Sequence, residues 1–412
     1  MPRVQPFAGL RYDSQRIDLA AVLAPPYDVI GRELQESLYG RALQNVVRVE
    51  LGKDFPNDVP GKVDRYTRAR DHLSAWLEQG FLVRDDRPGV YVHEHTFEAP
   101  GAARPRRRLG AFVGVEPVAH SRRQVLRHEL TLDRPKEDRI KLLQATGVQT
   151  SPLLLLHDAG PEVDAELDRQ VAVAPLCGEA EVPGEYGRDR HRLWRVTDEA
   201  AVALICGGLG ASQLFIADGH HRYETALALR LPLVLALVAP LRQSDHVILA
   251  THRIVEPSPM AADELLTALS GAGWDVTTWP ERDLAQLKVR ELAADHHAFV
   301  ILDADTIGTA SRRRQQSQKG AAGLDVAVLN REILEAVLRI GPKDAAAGRI
   351  RYSRDPAEAA QAAARRGVVA FLLNPTPLEA VTEAARAGEV LPQKSTYFFP
   401  KVPTGLVMME TP

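Results

Sequence analysis

Ala217-Asp218-Gly219-His220-His221-Arg222-Tyr223-Glu224 is the stretch of this 412-residue chain whose residue types and spacing best suit chemistry. A glycine lets the backbone approach a ligand closely, and the amides that follow it can converge on one point. The start of a helix favours an anion, because unpaired N–H groups are directed there. An adjacent arginine adds a planar fork of donors suited to phosphate oxygens. Gly219, His220 and Arg222 therefore read as a phosphate cradle, with His220 or His221 placed to donate to an oxyanion or to move a proton. The competing reading is a tight turn whose polar groups merely cap a helix. Adjacent histidines point apart on any regular backbone, so His220 and His221 do not share one ion. Asp218 is the candidate metal ligand, for magnesium brought in by a nucleotide in preference to zinc.

Other polar clusters are candidates to meet this turn. Arg127-His128-Glu129 and the run from Lys136 to Arg139 read either as solvated surface or as part of a site. His252 and Arg253 interrupt an apolar strand, where a buried cation needs an anion or a carboxylate. Lys394, Ser395 and Thr396 suit a second anion contact, and equally suit a strand with Tyr397 and Phe399 on the core. His93 and His95 alternate along a strand and share a face, a pattern of core or rim more than of metal.

The elements that must position these groups indicate an α+β chain. A helix is expected with Tyr66, Ala69, Leu73 and Leu77 on one face and Gly80 ending it. Asn45 to Leu51 alternates like a half-buried strand. Residues 157–195 are polar and read as a decorated hairpin or an excursion on the first domain, returning to strand at His191. Leu214 to Ile216 is a short strand and Tyr223 to Leu229 a helix, so the turn lies between a strand end and a helix start, where ligand sites are commonly built. The expected domains are 1–256, carrying the turn, and 257–412, a smaller α/β region whose C-terminal segment returns to the core.

Hydrophobic residues make up 45% and charged residues 25%, the balance of a soluble globular chain. Lys plus Arg is 51 and Asp plus Glu is 54, a net charge of −3, which makes a nucleic-acid partner unexpected; the basic turn at Arg104–Arg108 is the one local exception. The apolar run Leu229–Leu241 is too short and too interrupted by proline to cross a bilayer, so no membrane partner is expected. Two cysteines support neither a disulfide framework nor a cysteine zinc site. The start has no apolar leader, which gives a cytoplasmic expectation, and the Arg- and Ala-rich usage suggests a bacterial source. A homodimer is the default assembly.

Several separated motifs occur together in order: Pro6-Phe7, Ala24-Pro-Pro-Tyr-Asp-Val-Ile30, Asn45-Val-Val-Arg48, Ala217 to Thr225, Thr251-His-Arg253, and Pro392-Gln-Lys-Ser-Thr-Tyr-Phe398 with Pro400-Lys401. In these the chain resembles the DUF1015 family of uncharacterised bacterial and archaeal proteins, over nearly its whole length. The Asp218–Arg222 motif also resembles the phosphate-binding turn of the ParB/sulfiredoxin superfamily, which includes a kinase for free serine. That resemblance implies a ParB/sulfiredoxin-like core with a phosphate-binding turn at a helix N-terminus. It also implies that Gly219 to Arg222 grip phosphate while Asp218 and His221 lie near the reacting group. Sulfiredoxins carry a cysteine in the turn; His220 stands there in this chain, which disfavours sulfinic-acid reduction.

The implied function is phosphoryl transfer to a small hydroxylated metabolite, with ATP, ADP or pyrophosphate as donor and Mg2+ as its counterion. The alternatives are a phosphatase or nucleotidase and a non-catalytic nucleotide-binding regulator. Glu129 is the first candidate for the carboxylate base and Glu50 the second. Arg48, Arg127 and Arg253 with His252 are candidates for the substrate's carboxylate, and Lys394, Ser395 and Thr396 for further cofactor contacts.

Overall fold

The computed structural model describes residues 2–129, 133–243, 245–315 and 320–411. The chain divides into two compact units: one holds the residues up to Arg127, those through Val247 and the segment from Pro400 onward; the other holds His128 and Glu129 with Ile248–Phe399.

The first unit is organised by a nine-stranded mixed sheet. Its order runs Val125–Leu126, Leu214–Asp218, Leu153–His157, Val234–Pro240, Arg106–Val115, Val90–Phe97, Arg188–Val196, Leu176–Pro183, with Val4–Gln5 also paired to Arg106–Val115. Alternation sorts its side chains to two faces. Val90, Val92, Leu109, Ala111, Val113, Leu153 and Leu155 point to one face, where they pack with Val163, Leu167, Ile205, Leu209 and Tyr223 from helices Pro161–Val173, Glu199–Ala211 and His220–Ala228. His93, His95, Phe97, Arg108 and His191 occupy the other face and are buried. A four-stranded sheet brings the last strand, Met408–Glu410, between Gly9–Tyr12 and Val148–Gln149, which seats the C-terminal segment in this unit.

The expected helix forms over Arg65–Glu78; its inner face is Ala69, Leu73 and Trp76, with Leu77 only partly buried. Asp64 accepts from the amides of Tyr66 and Thr67 at 3.0 and 2.9 Å, a cap that stabilises such a helix by about 1 kcal/mol.

One expectation is corrected and two are made more specific. Asn45 to Leu51 is not a strand: Val47–Glu50 forms a helical turn, started by Asn45, whose Oδ1 accepts from the Val47 amide at 3.0 Å and whose Nδ2 donates to the Ala21 carbonyl at 2.8 Å. A side-chain cap anchored on a neighbouring segment overrides the alternation. Of the two readings of residues 157–195 the hairpin is the one that forms: a helix precedes the hairpin Leu176–Pro183/Arg188–Val196, which extends the main sheet. The basic turn is largely strand, and its charges are spent internally: Arg107 on Glu94 and Asp168, Arg106 on Asp245, Arg108 buried. Arg104, at the start of the turn, stays largely exposed.

The second unit has a six-stranded antiparallel sheet in the order Asp275–Thr278, Ile307–Arg313, His296–Leu302, Val369–Leu372, His252–Val255, Ile350–Ser353. Successive residues of His296–Leu302 feed two cores, Phe299 and Ile301 with helix Ala262–Gly271, and Ala298, Val300 and Leu302 with Arg282–Glu291 and Pro356–Ala363. No helix among the described residues is long and apolar enough to cross a membrane.

The histidines of the main sheet predict an acid instability. Burial, then the charges of His191 and Arg108, holds His93 and His95 well below the ordinary imidazole value; burial, then Arg108, lowers His191 to about 3. Burial also lowers His157 and His246 to about 4. The unfolded chain takes up these protons as pH falls through about 6.5, whereas the native protein does so only much lower. The stability held in the neutral rings is complete above that value and is lost as pH falls toward the native values, by about 1.4 kcal/mol per pH unit for each ring. Asp189, pushed up to about 6 by burial, binds its proton first in the native state and offsets one ring below that pH. Urea midpoints measured from pH 7 to 5 should therefore fall steeply, and a flat midpoint would exclude several neutral rings.

Candidate functional site

The Leu214–Asp218 strand ends against Leu153–His157 with a register shift between Ile216 and Asp218. Gly219 then turns the chain with φ 94° and ψ 28°, and helix His220–Ala228 begins at once. A β-carbon on Gly219 would stand 2.8 Å from Leu153 Cδ2 and 3.2 Å from Arg222 Cζ. Only glycine meets both the left-handed backbone and that approach.

Asp218 and Arg222, four apart across the turn, pair at 2.7 Å through Oδ2 and Nη2. The other carboxylate oxygen, Oδ1, accepts from the Lys401 ammonium, and Arg222 Nη1 donates to the Pro152 carbonyl. Burial by itself would raise the Asp218 carboxyl, but Lys401 and Arg222 hold it well below the usual carboxylate range. Two cations thus converge on one carboxylate, its side chain 13% exposed, at the mouth of a helix. The metal role expected for Asp218 does not fit, because both of its oxygens already face cations; magnesium here would have to be held by a nucleotide's own phosphates.

Arg222 also lines a cleft of about 450 Å³, counting its open mouth, whose polar wall includes Glu50, Arg139, Thr150 and Ser151. Glu50 is carried inward by the Val47–Glu50 turn and is 1% exposed. It accepts from Thr150 Oγ1 at 2.5 Å and Ser151 Oγ at 2.6 Å, and Arg139 Nη1 lies 3.2 Å from it. Ser151 Oγ in turn meets Thr404 Oγ1 at 2.8 Å, so the C-terminal segment that brings Lys401 also braces Glu50. Arg139 stacks over Tyr27 at 4.1 Å and has Asp138 as a second anion.

Of the residues selected from sequence, Asp218, Gly219, His220, His221, Arg222 and Glu50 lie in this unit around the turn and cleft. Arg48 does not serve the cleft: it donates to the Tyr39 carbonyl at 2.8 Å and stacks on that ring. Arg127 pairs with Glu224 at 3.2 Å, beside His120. Glu129, His252, Arg253, Lys394, Ser395 and Thr396 belong to the second unit. There Glu129 accepts from the Lys394 amide at 3.2 Å, Arg253 Nη2 donates to the Lys394 carbonyl at 3.3 Å, Ser395 donates to the Pro392 carbonyl at 2.5 Å, and Thr396 bonds His128 at 2.9 Å. Lys394–Thr396 is neither strand nor part of the cleft lining; Arg253, lowered to about 10 by burial, holds its backbone. His252 Nδ1 accepts from the Leu373 amide at 3.2 Å.

Thr150 and Ser151 were not selected from sequence; Arg139 was named only within the charged run from Lys136, and Lys401 only as a neighbour of Lys394–Thr396 that suits either an anion contact or a core strand. One signal was available for Arg139: it sits three residues before Leu142, and both are buried on the inner face of helix Asp133–Thr146. Lys401 stands in the Pro400-Lys401 motif, but nothing local ties it to Asp218.

The model of the family described as "Protein of unknown function (DUF1015)" matches residues 4–327. The chain belongs to the DUF1015 family. No curated protein matches the sequence of this DUF1015 member. Among solved structures it is similar to a point mutant of a free serine kinase in complex with ADP, at 15% identity over 75% of this chain and 98% of that one, with a TM-score of 0.38. It is also similar to a conserved hypothetical protein from Pyrococcus furiosus, at 15% identity over 72% and 95% of the two chains, with a TM-score of 0.34. SbnI with a C-terminal truncation, from Staphylococcus aureus, is 13% identical over 68% and 81%, with a TM-score of 0.35.

Proposed function

We propose that this protein is a phosphoryl-transfer enzyme acting on a small hydroxylated metabolite, with a ParB/sulfiredoxin-like first unit and a nucleotide or pyrophosphate as donor. The observation that carries this reading is the convergence of Arg222 and Lys401 on Asp218 at a helix start that only glycine can form. In this reading the amides after Gly219 and the two cations hold the donor's phosphates, and Asp218 keeps the cations in place when no phosphate is bound. His221 is assigned to the same phosphates.

Arg222 is common to the turn and the cleft, so the acceptor belongs in the cleft. Glu50 takes the hydrogen bond of the acceptor hydroxyl and orients it, the part a carboxylate plays in phosphoryl transfer. Arg139 supplies the cation that a carboxylate-bearing substrate such as serine requires. The acceptor oxygen bonds to phosphorus as the bond to the leaving oxygen of the donor breaks, and the hydroxyl proton passes to the Glu50 carboxylate. Water in the acceptor's place gives hydrolysis by the same groups.

Phosphorus NMR of ATP, ADP and pyrophosphate with magnesium, each with and without serine, tests this. A new phosphomonoester signal that requires serine is the expected result. Loss of donor without serine identifies a hydrolase, line broadening without turnover a binding protein, and no change in any spectrum overturns the reading.

A further inference from the structure

The sheet face opposite the helices carries a buried polar chain that the phosphate turn does not explain. His95 faces His191 across Val90–Phe97 and Arg188–Val196, and His93 Nε2 lies 3.1 Å from His191 Nδ1. Asp189 Oδ2 is 3.3 Å from His95 Nε2, an electrostatic contact without the alignment of a hydrogen bond. On the other side of His95, Arg108 Nη2 reaches Nδ1 at 3.1 Å, and the same nitrogen donates to the Pro400 carbonyl at 2.9 Å.

His95, Asp189 and His191 bring ligand atoms within 4.8 Å of one another, which is the spacing of a metal site. Arg108 decides against that use. A guanidinium only donates, so His95 Nδ1 must accept and the ring proton sits on Nε2, facing Asp189. A metal on Nε2 would force the proton to Nδ1, against the arginine's own N–H. It would also add two charges beside a buried cation whose nearby carboxylates are Asp189 and an Asp218 already facing Arg222 and Lys401.

The two hydrogens of Arg108 Nη2 are therefore committed, one to His95 and one to Pro400. The residue after Pro400 is Lys401, whose side chain is 10% exposed and whose ammonium rests on Asp218. We infer that Asp189, His95 and Arg108 are positioning residues that fix the Pro400 carbonyl and so hold the Lys401 ammonium on Asp218. Its consequence for catalysis rests on the phosphoryl-transfer reading; the tether itself does not.

The test is acylation of lysines by acetic anhydride, followed by mass spectrometry in the whole chain, with the exposed Lys62 and Lys288 as internal standards. Arg108→Leu combined with Asp189→Asn removes both buried charges together, and His95→Leu breaks the chain in its middle. Each should raise the labelling rate of Lys401 by about tenfold, the scale of losing one charge-assisted hydrogen bond, with the standards unchanged. His95→Gln, whose amide oxygen accepts from Arg108 while its NH2 faces Asp189, should restore slow labelling. Equal labelling of Lys401 in folded wild type, His95→Gln and His95→Leu overturns the inference. So does stoichiometric zinc or cobalt that is retained by wild type and lost in Asp189→Asn. Faster labelling in the broken variants of a protein that shows no turnover upholds the tether and counts against the phosphoryl-transfer reading alone.

Discussion

Replacing Lys401 with methionine should lower phosphoryl transfer by about 10²–10³-fold, the range for removing one preorganised charge from a transition state. The methionine keeps the apolar stem and removes the ammonium that shares Asp218 with Arg222. Breaking a buried ion pair also destabilises the fold, because Asp218 keeps its charge with one cation fewer. Measuring rate and unfolding midpoint together separates the two effects: Lys401→Met leaves Asp218 and Arg222 balanced one to one, so the loss of stability should be modest while transfer stays low. Lys401→Arg keeps the charge but not the point geometry of an ammonium, and falls between. Rates come from phosphorus NMR and stabilities from urea unfolding. Wild-type turnover in Lys401→Met would remove the cation pair from the mechanism.

Glu50 offers the second large effect, and two variants divide it. Glu50→Ala should cost about 3 kcal/mol of stability, the low end for breaking a buried ion pair, since Arg139 retains Asp138. The hydroxyls of Thr150 and Ser151 lose their acceptor in the same change. Glu50→Gln keeps the volume and an acceptor oxygen, so it should fold with a smaller loss. If Glu50 orients the acceptor hydroxyl, kcat falls by about 10²–10⁴-fold with KM for the donor unchanged, the size of effect expected of a positioned acid–base group. A Glu50→Gln enzyme with full kcat would make the residue purely structural and send the search for the carboxylate elsewhere.

The turn was legible because everything that shapes it is local. Gly219 follows a short apolar strand and precedes a helix former, and Asp218 and Arg222 are four residues apart, close enough for the backbone turn to pair them. The helix Arg65–Glu78 was legible for the same reason, in its period and the Gly80 that ends it, while its Asp64 cap was seen only in the structure. Membership of DUF1015 was carried by the order of separated motifs and needed no geometry.

What lies around the turn was decided by contacts distant in sequence. The Val47–Glu50 segment has the alternation of a strand, and the anchoring of Asn45 on Ala21 makes it a helical turn that carries Glu50 inward. Arg48, in the same turn, goes to Tyr39 instead of the cleft. Glu129 precedes the inner helix of the first unit in sequence, yet it pairs with the 391–394 segment of the second. Lys401 reaches Asp218 because Met408–Glu410 adds a strand beside Gly9–Tyr12 and because Arg108 holds the Pro400 carbonyl. The sequence by itself determined the strand–glycine–helix turn and its Asp218–Arg222 pair, since these depend on backbone preference and a spacing of four. The second cation, the cleft and its carboxylate were settled only by strand register and the return of the C-terminal segment, because a charge buried at long sequence separation leaves no local pattern.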